Sequence, residues 1–385
     1  MNWNDKTAAN VKAIKPSGIR KFFDIAAQVK GVLSLSIGEP DFAAPDKVLA
    51  AMKASLDAKE TSYTGNSGMM ELREAISHHF EQRYGVHYDP KDEILVTVGV
   101  SEGLAMALLA ITEPGDEVII PDPAYVAYPA SVELAGGTPV FVPTYPEHDF
   151  KLTVEALEKV ITPKTKAIVI GYPNNPTGTV MSAEELMPIA KFAEEHDLIV
   201  LSDEIYCELM YGDAKFTSFA KLPGMRERTV IFNGFSKAYA MTGMRLGYVC
   251  APREGLAPIL KLHQYAIMCA NTTAQVGGIT ALKECDDDVE AMRQEYDRRR
   301  KVIYKGLCDM GLPVFEPKGA FYIFPDIRCT GMTSAEFCEK LVQEEKVAVV
   351  PGTAFGDQGE GFVRISYAAS MDTIQEALKR MARFV

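Results

Sequence analysis

The chain has 385 residues and a formal net charge of −12, and 47% of its residues are hydrophobic. This length suits two domains, and the composition is ordinary for a soluble globular protein. So acidic a chain is not expected to bind nucleic acid or an anionic membrane surface. The sequence begins without the apolar run of a signal peptide, and its longest apolar stretch, near residues 104–111, is too short to span a bilayer.

Seven cysteines are scattered along the chain without a CxxC pair. This pattern predicts neither a zinc site nor a disulfide framework, and it fits the reducing cytoplasm. The adjacent His78 and His79 have no partner at metal-ligand spacing, so we expect them on the solvated surface of a helix. The sequence therefore predicts a cytoplasmic protein without a bound metal.

The middle of the chain alternates between apolar segments typical of strands and longer segments typical of helices. Ser182, with Glu185 three residues later, forms the capping box of one such helix. Strands that alternate with helices form βαβ units, so we expect an α/β fold with a mostly parallel central sheet flanked by helices. The predicted strands are residues 93–99, 117–121, 166–172, 198–203, 229–233 and 246–251, and the predicted helices are 101–112, 125–135 and 182–196.

The pattern changes after a long, highly charged helix around residues 285–308. Beyond it we expect a smaller α+β unit, and the segment before Pro45 is expected to pack against that unit because it has no sheet partner of its own. The predicted elements are strands at 320–324, 347–351 and 362–367, a helix at 334–345 and a terminal helix from Asp372.

Polar side chains follow four of the predicted strands. Ser101 follows the strand that ends near residue 99, and Asn175 follows the strand that ends near residue 172. Asp203 ends the strand at residues 198–203, and Lys237 follows the strand at residues 229–233 after a short turn. Because a doubly wound sheet binds ligands beyond the carboxyl ends of its strands, we expect these side chains to face one crevice.

Each of these residues also has a purely structural interpretation. Asp203 could cap a helix that begins at the next residue, and Lys237 could be a solvated lysine in a loop. Residues 175–178 could form an ordinary turn. Arg364 could lie on the surface of an edge strand, and Tyr125 could be a core aromatic on a helix.

Five segments carry a pattern that is more specific than any single residue. They are residues 38–42, 63–64, 175–178, 202–206 and 236–248. Together they resemble the class I/II aminotransferases, which are fold-type I enzymes that use pyridoxal 5′-phosphate (PLP). The resemblance runs from about Leu33 to the C-terminus. It implies a large PLP-binding domain at residues 45–280 and a small domain formed by residues 1–44 and 281–385.

The resemblance implies a role for each polar residue of the crevice. Lys237 would bind PLP covalently and then act as the base that moves the substrate's Cα proton. Asp203 would keep the pyridine nitrogen protonated, so that the ring withdraws electrons. Tyr206, presented with Asp203 by the start of one helix, would bond the 3′ oxygen of the cofactor together with Asn175. Tyr125 would stack on the ring.

The phosphate of PLP needs hydrogen-bond donors. The resemblance assigns it the guanidinium of Arg245 and the backbone amides at a helix N-terminus, which favours an anion. Those amides belong to Val100, Ser101 and Glu102. The resemblance also implies a hydroxyl contact from Ser236. The family often has a hydroxyl residue three positions before the lysine, but that position is Gly234 here.

The remaining implied contacts are those of the substrate and of a second subunit. Arg364 would bind the α-carboxylate of the substrate, and Gly38 would let the backbone approach it. Arg20 is the candidate for binding a second, distal carboxylate. Tyr63 matches a tyrosine that reaches the phosphate of the neighbouring subunit's PLP, so we expect a homodimer.

The sequence excludes some enzyme classes and leaves other functions open. It contains neither the G-x-G-x-x-G of a nicotinamide dehydrogenase nor a P-loop. We expect glutamate with 2-oxoglutarate as one half-reaction. For the other we rank aspartate first, then aromatic amino acids, then N-acetyl-diaminopimelate. The alternatives are a PLP-dependent carbon–sulfur β-lyase and a non-catalytic PLP-fold sensor, which would need room for a DNA-binding module before residue 33.

Overall fold

The computed structural model describes residues 1–14, 18 and 29–385. The strands are β1 (Leu33–Ser34), β2 (Ile94–Thr97), β3 (Glu117–Asp122), β4 (Thr138–Pro143), β5 (Thr165–Ile170), β6 (Ile199–Asp203), β7 (Thr229–Gly234), β8 (Gly247–Cys250), β9 (Tyr322–Ile323), β10 (Val347–Ala348), β11 (Val350–Pro351) and β12 (Val363–Ser366). The described α-helices are α1 (Trp3–Lys6), α2 (Ala9–Ala13), α3 (Asp46–Asp57), α4 (Met70–Tyr84), α5 (Val100–Ile111), α6 (Ala127–Leu134), α7 (Val154–Leu157), α8 (Ala183–Glu195), α9 (Arg253–Ala266), α10 (Thr272–Glu284), α11 (Asp286–Asp309), α12 (Ser334–Lys340) and α13 (Met371–Phe384).

Short helical turns complete the described structure. The 3-10 turns are Pro146–His148, Phe219–Lys221, Thr242–Met244, Arg328–Thr330, Gly352–Phe355 and Asp357–Gly359, and a π-helical turn, Leu341–Glu345, extends α12.

The central sheet is mostly parallel, as predicted. Among the described residues it has seven strands in the order β2-β8-β7-β6-β5-β3-β4, and β8 runs antiparallel to both of its neighbours. The other pairs are parallel. The capping box that begins α8 is confirmed, because Ser182 and Glu185 exchange side chain to backbone hydrogen bonds. Consequently the carboxyl ends of β2, β3, β5, β6 and β7 meet at one edge of the sheet.

The edge strand β4 was not predicted. It pairs in parallel with β3 from Thr138 to Pro143, but several of its residues are exposed or half-buried. It also contains two prolines, which disfavour a strand in a sheet interior and are tolerated at an edge. A strand that is neither apolar throughout nor free of proline leaves no clear pattern in the sequence.

The later part of the N-terminal segment packs against the C-terminal unit, as expected, whereas α2 contacts α6 beside the central sheet, where the Asn10 side chain donates a hydrogen bond to Leu134 O at 3.2 Å. β1 pairs in parallel with β10, and β11, β12 and β9 form a separate antiparallel sheet. Asp41 also accepts a hydrogen bond at 2.7 Å from the guanidinium of Arg299 on α11. The segment around residues 38–42 is thereby held against the long helix of the C-terminal unit.

The core of the C-terminal unit reaches the edge of the central sheet. Its buried cluster includes Phe321, Tyr322 and Ile365, and it also takes in Tyr206, which comes from the segment just after β6. A cleft between the two sheets therefore lies at the carboxyl ends of the parallel strands. Within the described ranges, no helix has both the length and the apolar character needed to cross a membrane.

Candidate active site

A cavity of about 450 Å³ lies at the carboxyl ends of the central strands. It brings together most of the residues that the sequence singled out. Those that line it are Gly38, Val100, Ser101, Tyr125, Asn175, Asp203, Tyr206, Ser236, Lys237, Arg245 and Arg364. Glu102 and Tyr63 do not line it, and Arg20 lies outside the described residues.

Lys237 stands in the turn directly after β7. Its Nζ donates a hydrogen bond to the carbonyl oxygen of Gly38 at 2.7 Å. It also lies 5.8 and 5.6 Å from the ring centroids of Tyr206 and Phe321, to one side of this aromatic pair. Burial, followed by the nearby charge of Arg364, lowers the pKa of Lys237 to about 8. The interpretation as a solvated loop lysine is therefore wrong. With this pKa, a large fraction of the Lys237 amine is neutral in mildly alkaline solution.

Asp203 is a buried carboxylate at the end of β6. Its Oδ2 accepts a hydrogen bond from the Tyr128 hydroxyl at 2.8 Å, and its Oδ1 accepts one from the backbone N–H of Ile205 at 3.3 Å. Burial raises the pKa of Asp203, because these neutral donors do not replace the water that a carboxylate loses. A cation placed in the cavity opposite Asp203 would stabilise its charged form.

The expected helix after Asp203 is absent from the described structure. Residues 205–208 form a turn, so Asp203 caps no helix and Tyr206 is presented by a turn. The Asp203 side chain bonds an N–H two residues ahead, which is the local bond that lets aspartate compete with helix formation.

Two tyrosines of the site carried no role in the sequence interpretation. Tyr128 bonds Asp203, and the hydroxyl groups of Tyr322 and Tyr206 lie 2.9 Å apart. Tyr128 could have been found, because it follows Tyr125 by three residues and so shares its side of the segment that leads into α6. The two rings meet edge to face at 5.6 Å. Tyr322 gave no comparable signal.

Arg364 is a buried cation with neutral partners. It lies on β12, the central strand of its sheet, so the edge-strand interpretation is wrong. Its Nη1 donates to Asn175 Oδ1 at 3.0 Å and its Nη2 to the Ser36 carbonyl oxygen at 2.6 Å, while its Nε has no partner among the described residues. Burial lowers the pKa of Arg364. An arginine held this way in a cavity is suited to a carboxylate.

The opposite end of the cavity is formed by the start of α5. Val100 and Ser101 begin this helix after Gly99, whose φ of 75° favours glycine. A Cβ atom at Gly99 would stand 2.6 Å from Nη2 of Arg245. The guanidinium therefore lies against the helix N-terminus, where its charge and the backbone amides can bind one anion.

Glu102 is turned away from the cavity. Its Oε2 accepts a hydrogen bond from the Val98 backbone at 2.5 Å, and its Oε1 lies 2.6 Å from Nδ1 of the fully buried His263 on α9. The carboxylate thus fixes the turn between β2 and α5. The sequence interpretation concerned only the backbone amide of Glu102.

Bare backbone supports the start of α5. Gly234 and Gly247 are paired across β7 and β8, and a Cβ atom at Gly234 would stand 2.8 Å from the Gly247 Cα. A Cβ atom at Gly247 would in turn stand 2.7 Å from the Val100 nitrogen. The stacked glycines explain why no hydroxyl side chain occupies position 234.

Tyr63 is 80% exposed and lies outside this chain's own cavity. Its loop is joined to the start of α10, because Thr272 donates a side-chain hydrogen bond to Ser62 O at 2.7 Å. Asn66 likewise donates to Met268 O at 2.9 Å. Tyr265, on the adjoining end of α9, is 90% exposed.

In the described part of the chain, no group of three or more histidine, cysteine or acidic side chains is arranged to hold a metal ion. His78 is exposed as expected, but His79 is not. Its side chain is 10% exposed, and its Nε2 lies 3.2 Å from Glu208.

Comparison with known proteins decides the family. Residues 30–381 match the family described as aminotransferase class I and II. The chain belongs to the class I and II aminotransferases. This aminotransferase is 53% identical to the Bacillus subtilis (strain 168) protein YugH, over 97% of each chain. It is 50% identical to the aspartate aminotransferase of Pyrococcus abyssi, over 96% of each.

Solved structures agree with the fold of this aminotransferase. The aromatic aminotransferase from Pyrococcus horikoshii OT3 superposes with a TM-score of 0.91 at 49% identity, covering 94% of this chain and 98% of that one. The chain therefore has the fold-type I architecture and is an enzyme. The non-catalytic sensor hypothesis is wrong.

Members of this family use PLP, and the described residues fit such a group. The cavity offers an amine of lowered pKa, a buried carboxylate whose hydrogen-bond donors are neutral, and a guanidinium beside a helix N-terminus. These are the partners required by the aldehyde, the pyridine nitrogen and the phosphate of PLP, respectively.

Proposed function

We propose that this chain is a PLP-dependent aminotransferase that moves an amino group between an L-amino acid, aspartate or an aromatic amino acid first, and a 2-oxo acid such as 2-oxoglutarate. The observation that carries the proposal is a single cavity that holds the buried amine of Lys237, the buried carboxylate of Asp203 and the buried guanidinium of Arg364. The hydrogen-bond partners of Asp203 and Arg364 are neutral groups, so burial of both charges is costly until a ligand places opposite charges against them.

Four residues would act on the reactive part of the cofactor. When bound, PLP would take up the amino group and withdraw electrons from the substrate Cα. Lys237 would hold PLP covalently and, once released, carry the Cα proton to C4′. Asp203 would keep the pyridine nitrogen protonated. Tyr206 and Asn175 would bond the 3′ oxygen.

The remaining cofactor contacts would fix its position. Tyr125 would stack on the ring. Arg245 would bind the phosphate together with the backbone amides of Val100, Ser101 and Glu102 at the start of α5, and Ser236 would add its hydroxyl group.

Arg364 would bind the α-carboxylate of both amino acid and 2-oxo acid. Asn175 is already bonded to its Nη1, and Gly38 leaves room for the carboxylate, since a Cβ at residue 38 would stand 3.6 Å from that nitrogen. We infer that residues 45–280 form the large domain and that residues 1–44 and 281–385 form the small one. Substrate bound to Arg364 would then draw the domains together and exclude water.

A panel of amino acids tests the proposal. The protein loaded with PLP is mixed with glutamate, aspartate, phenylalanine, tyrosine, N-acetyl-diaminopimelate and cystathionine, and conversion to the pyridoxamine form is followed by absorbance. Conversion by glutamate and by aspartate or an aromatic amino acid is expected. Failure of every amino acid, or release of pyruvate and ammonia from cystathionine as the dominant reaction, would contradict it in favour of another activity, such as a β-lyase.

Arg20 is our candidate for the distal carboxylate of a dicarboxylic substrate, on sequence grounds alone. An unpaired carboxylate in a closed site is costly, so it needs a cation. Arg20→Ala is expected to lower kcat/KM for aspartate and glutamate by about 10–100-fold while changing that for phenylalanine less than about threefold. Lys21→Ala, which removes the neighbouring charge, is the control. Equal losses on both substrate types would mean that Arg20 does not bind the distal carboxylate of the substrate.

We further infer that the active form is a homodimer. Tyr63, Tyr265 and Met268 leave large apolar surfaces exposed on adjoining segments, which is typical of a surface that a second copy covers. Sedimentation is expected to give a dimer. A fully active monomer would refute this inference.

Tyr63 also offers a test of which subunit completes the site. Because Tyr63 lies outside its own chain's cavity, we expect any effect of Tyr63→Phe on PLP binding to arise at the partner subunit's site. We expect this change to weaken PLP binding by about 3–30-fold, as the loss of a hydrogen bond to a charged group would. Tyr145→Phe is the matched control, since Tyr145 is also exposed and lies away from the cavity.

The cell compartment that fits best is the cytoplasm. The chain's seven cysteines are all free thiols, as is usual where the environment is reducing. We infer no partner other than small-molecule substrates and the second subunit.

A further inference from the structure

We propose that Tyr322 is a positioning residue that couples Tyr206, the expected partner of the cofactor's 3′ oxygen, to Arg364, the expected partner of the substrate carboxylate. Tyr322 begins β9, is 1% exposed and lines the cavity. The inference rests on the proposed function, because it assigns a role within the site of that reaction.

The contacts of Tyr322 join the two ends of the site through one side chain. Its hydroxyl oxygen lies 2.9 Å from that of Tyr206, and the Arg364 Cζ lies 4.5 Å from the centroid of its ring. The rings of Tyr322 and Tyr206 also meet edge to face, at 5.8 Å and 78°. A shift of the Tyr322 ring would therefore move both functional groups.

Glycine at position 38 keeps Tyr322 in this place. A Cβ atom there would stand 2.4 Å from the Tyr322 hydroxyl oxygen, closer than any packing tolerates. The carbonyl oxygen of Gly38 also accepts the hydrogen bond from Lys237 Nζ. The same short segment thus packs against Tyr322 and sets the resting position of the reactive amine.

The hydrogen bond between the Tyr322 and Tyr206 hydroxyl groups has a preferred donor once the site is occupied. Either hydroxyl could donate to the other. Burial raises the pKa of both tyrosines, but Arg364, whose Cζ lies 4.5 Å from the Tyr322 ring, opposes this rise more strongly at Tyr322, which makes Tyr322 the better donor. If Tyr322 donates to Tyr206, the hydrogen of Tyr206 is free to point into the cavity. Hydrogen bonds in such a chain strengthen one another, so Tyr322 would make Tyr206 a stronger donor to the 3′ oxygen.

Tyr322→Phe removes the hydroxyl group and keeps the ring, so it isolates the contribution of the hydroxyl group. PLP bound to the lysine absorbs differently in its protonated and deprotonated forms, and donation to the 3′ oxygen favours the deprotonated form. The pH midpoint of the absorbance change is therefore expected to rise by about 0.5–1 unit in this variant, the effect of one lost hydrogen bond. We expect kcat to fall about 3–10-fold, with KM within about twofold of wild type.

Tyr322→Leu removes the ring as well. Arg364 then loses the aromatic face that it covers, so KM for both amino acid and 2-oxo acid is expected to rise by about 3–30-fold, in addition to the same rise of the midpoint. If Tyr322→Phe does not fold, this variant supplies the midpoint measurement.

Tyr367→Phe is the matched control. Tyr367 belongs to the same buried cluster, and its hydroxyl donates to Ala320 O at 3.1 Å, yet it does not line the cavity. It is expected to lower thermal stability without moving the midpoint. A Tyr322→Phe midpoint equal to that of wild type, or one matched by Tyr367→Phe, would overturn the proposal. A wild-type protein that neither binds PLP nor reacts with amino acids would instead refute the proposed function.

Discussion

Replacement of Lys237 by alanine is expected to lower kcat for transamination by at least about 10⁴-fold, because the variant loses both the covalent attachment and the proton-transferring amine. Borohydride reduction of the wild-type protein, followed by peptide mapping, should place the pyridoxyl group on Lys237. Lys237→Arg keeps a cation of similar reach and is the matched variant. It should remain as inactive as Lys237→Ala, since a guanidinium stays protonated. A label on another lysine would remove Lys237 from this role.

The lowered pKa of Lys237 gives a second, independent measurement. The neutral amine is the form that attacks an aldehyde, and its fraction grows as the pH rises through the pKa of about 8. The rate at which the cofactor-free protein takes up PLP is therefore expected to rise with pH and level off above about 8, after correction for the titration of PLP itself. An inflection near the ordinary lysine value of 10.5 would mean that burial does not tune this amine.

Asp203→Asn has the second largest expected effect. Asparagine has the same shape and can still bond Tyr128 and the Ile205 N–H, so the fold should remain. The variant loses the charge that would hold a proton on the pyridine nitrogen. Removing one partner of a buried charge pair costs about 3–5 kcal/mol, so kcat should fall by about 10²–10⁴-fold. Single-turnover absorbance measurements with glutamate provide the rate.

Asp122→Asn is the control for that experiment. Asp122 is also a buried carboxylate at the end of a strand, where it accepts hydrogen bonds from the backbone N–H groups of Asp357 and Gln358, but it does not line the cavity. Its replacement is expected to affect stability more than the half-reaction. Activity of Asp203→Asn within a few-fold of wild type would reject the electron-withdrawing role of the charged ring.

The sequence was most informative where local chemistry decides the structure. The buried strands and the capping box of Ser182 follow from apolar runs and short-range hydrogen bonds, so both could be predicted. The segment after Asp203 was predicted wrongly. The hydrogen bond that Asp203 accepts from the Ile205 N–H is local, but aspartate makes bonds of this kind both in turns and in helix caps, so the choice between them also depends on contacts that Tyr206 makes with the C-terminal core. Those contacts come from residues more than a hundred positions away.

The same limit explains which site residues were missed. Tyr322 meets Tyr206 across 116 positions, and nothing in the spacing of either indicates that their hydroxyl groups would touch. His79 looked solvated from its charged helix, yet Glu208 covers it from another part of the chain. Residue type at a strand end indicated Asp203 and Lys237, and the family resemblance indicated Arg245 and Arg364, whereas the supporting groups of Tyr128 and Tyr322 became visible only with the packing.

The stacked glycines beneath α5 have a consequence for how this enzyme can diverge. At Gly234, Gly247 and Gly99 backbone lies on backbone or against a guanidinium, so no side chain can be inserted at these positions without displacing the helix start. Substitutions at these three glycines are therefore hardly tolerated. At the other end, Arg364, Tyr322 and Gly38 come from separate stretches of the chain but pack against one another, since a Cβ atom at Gly38 would stand 2.4 Å from the Tyr322 hydroxyl oxygen and the Arg364 Cζ lies 4.5 Å from the Tyr322 ring. Divergence there is therefore expected to need paired substitutions, in which a change at one of these positions is matched by a change at its neighbour.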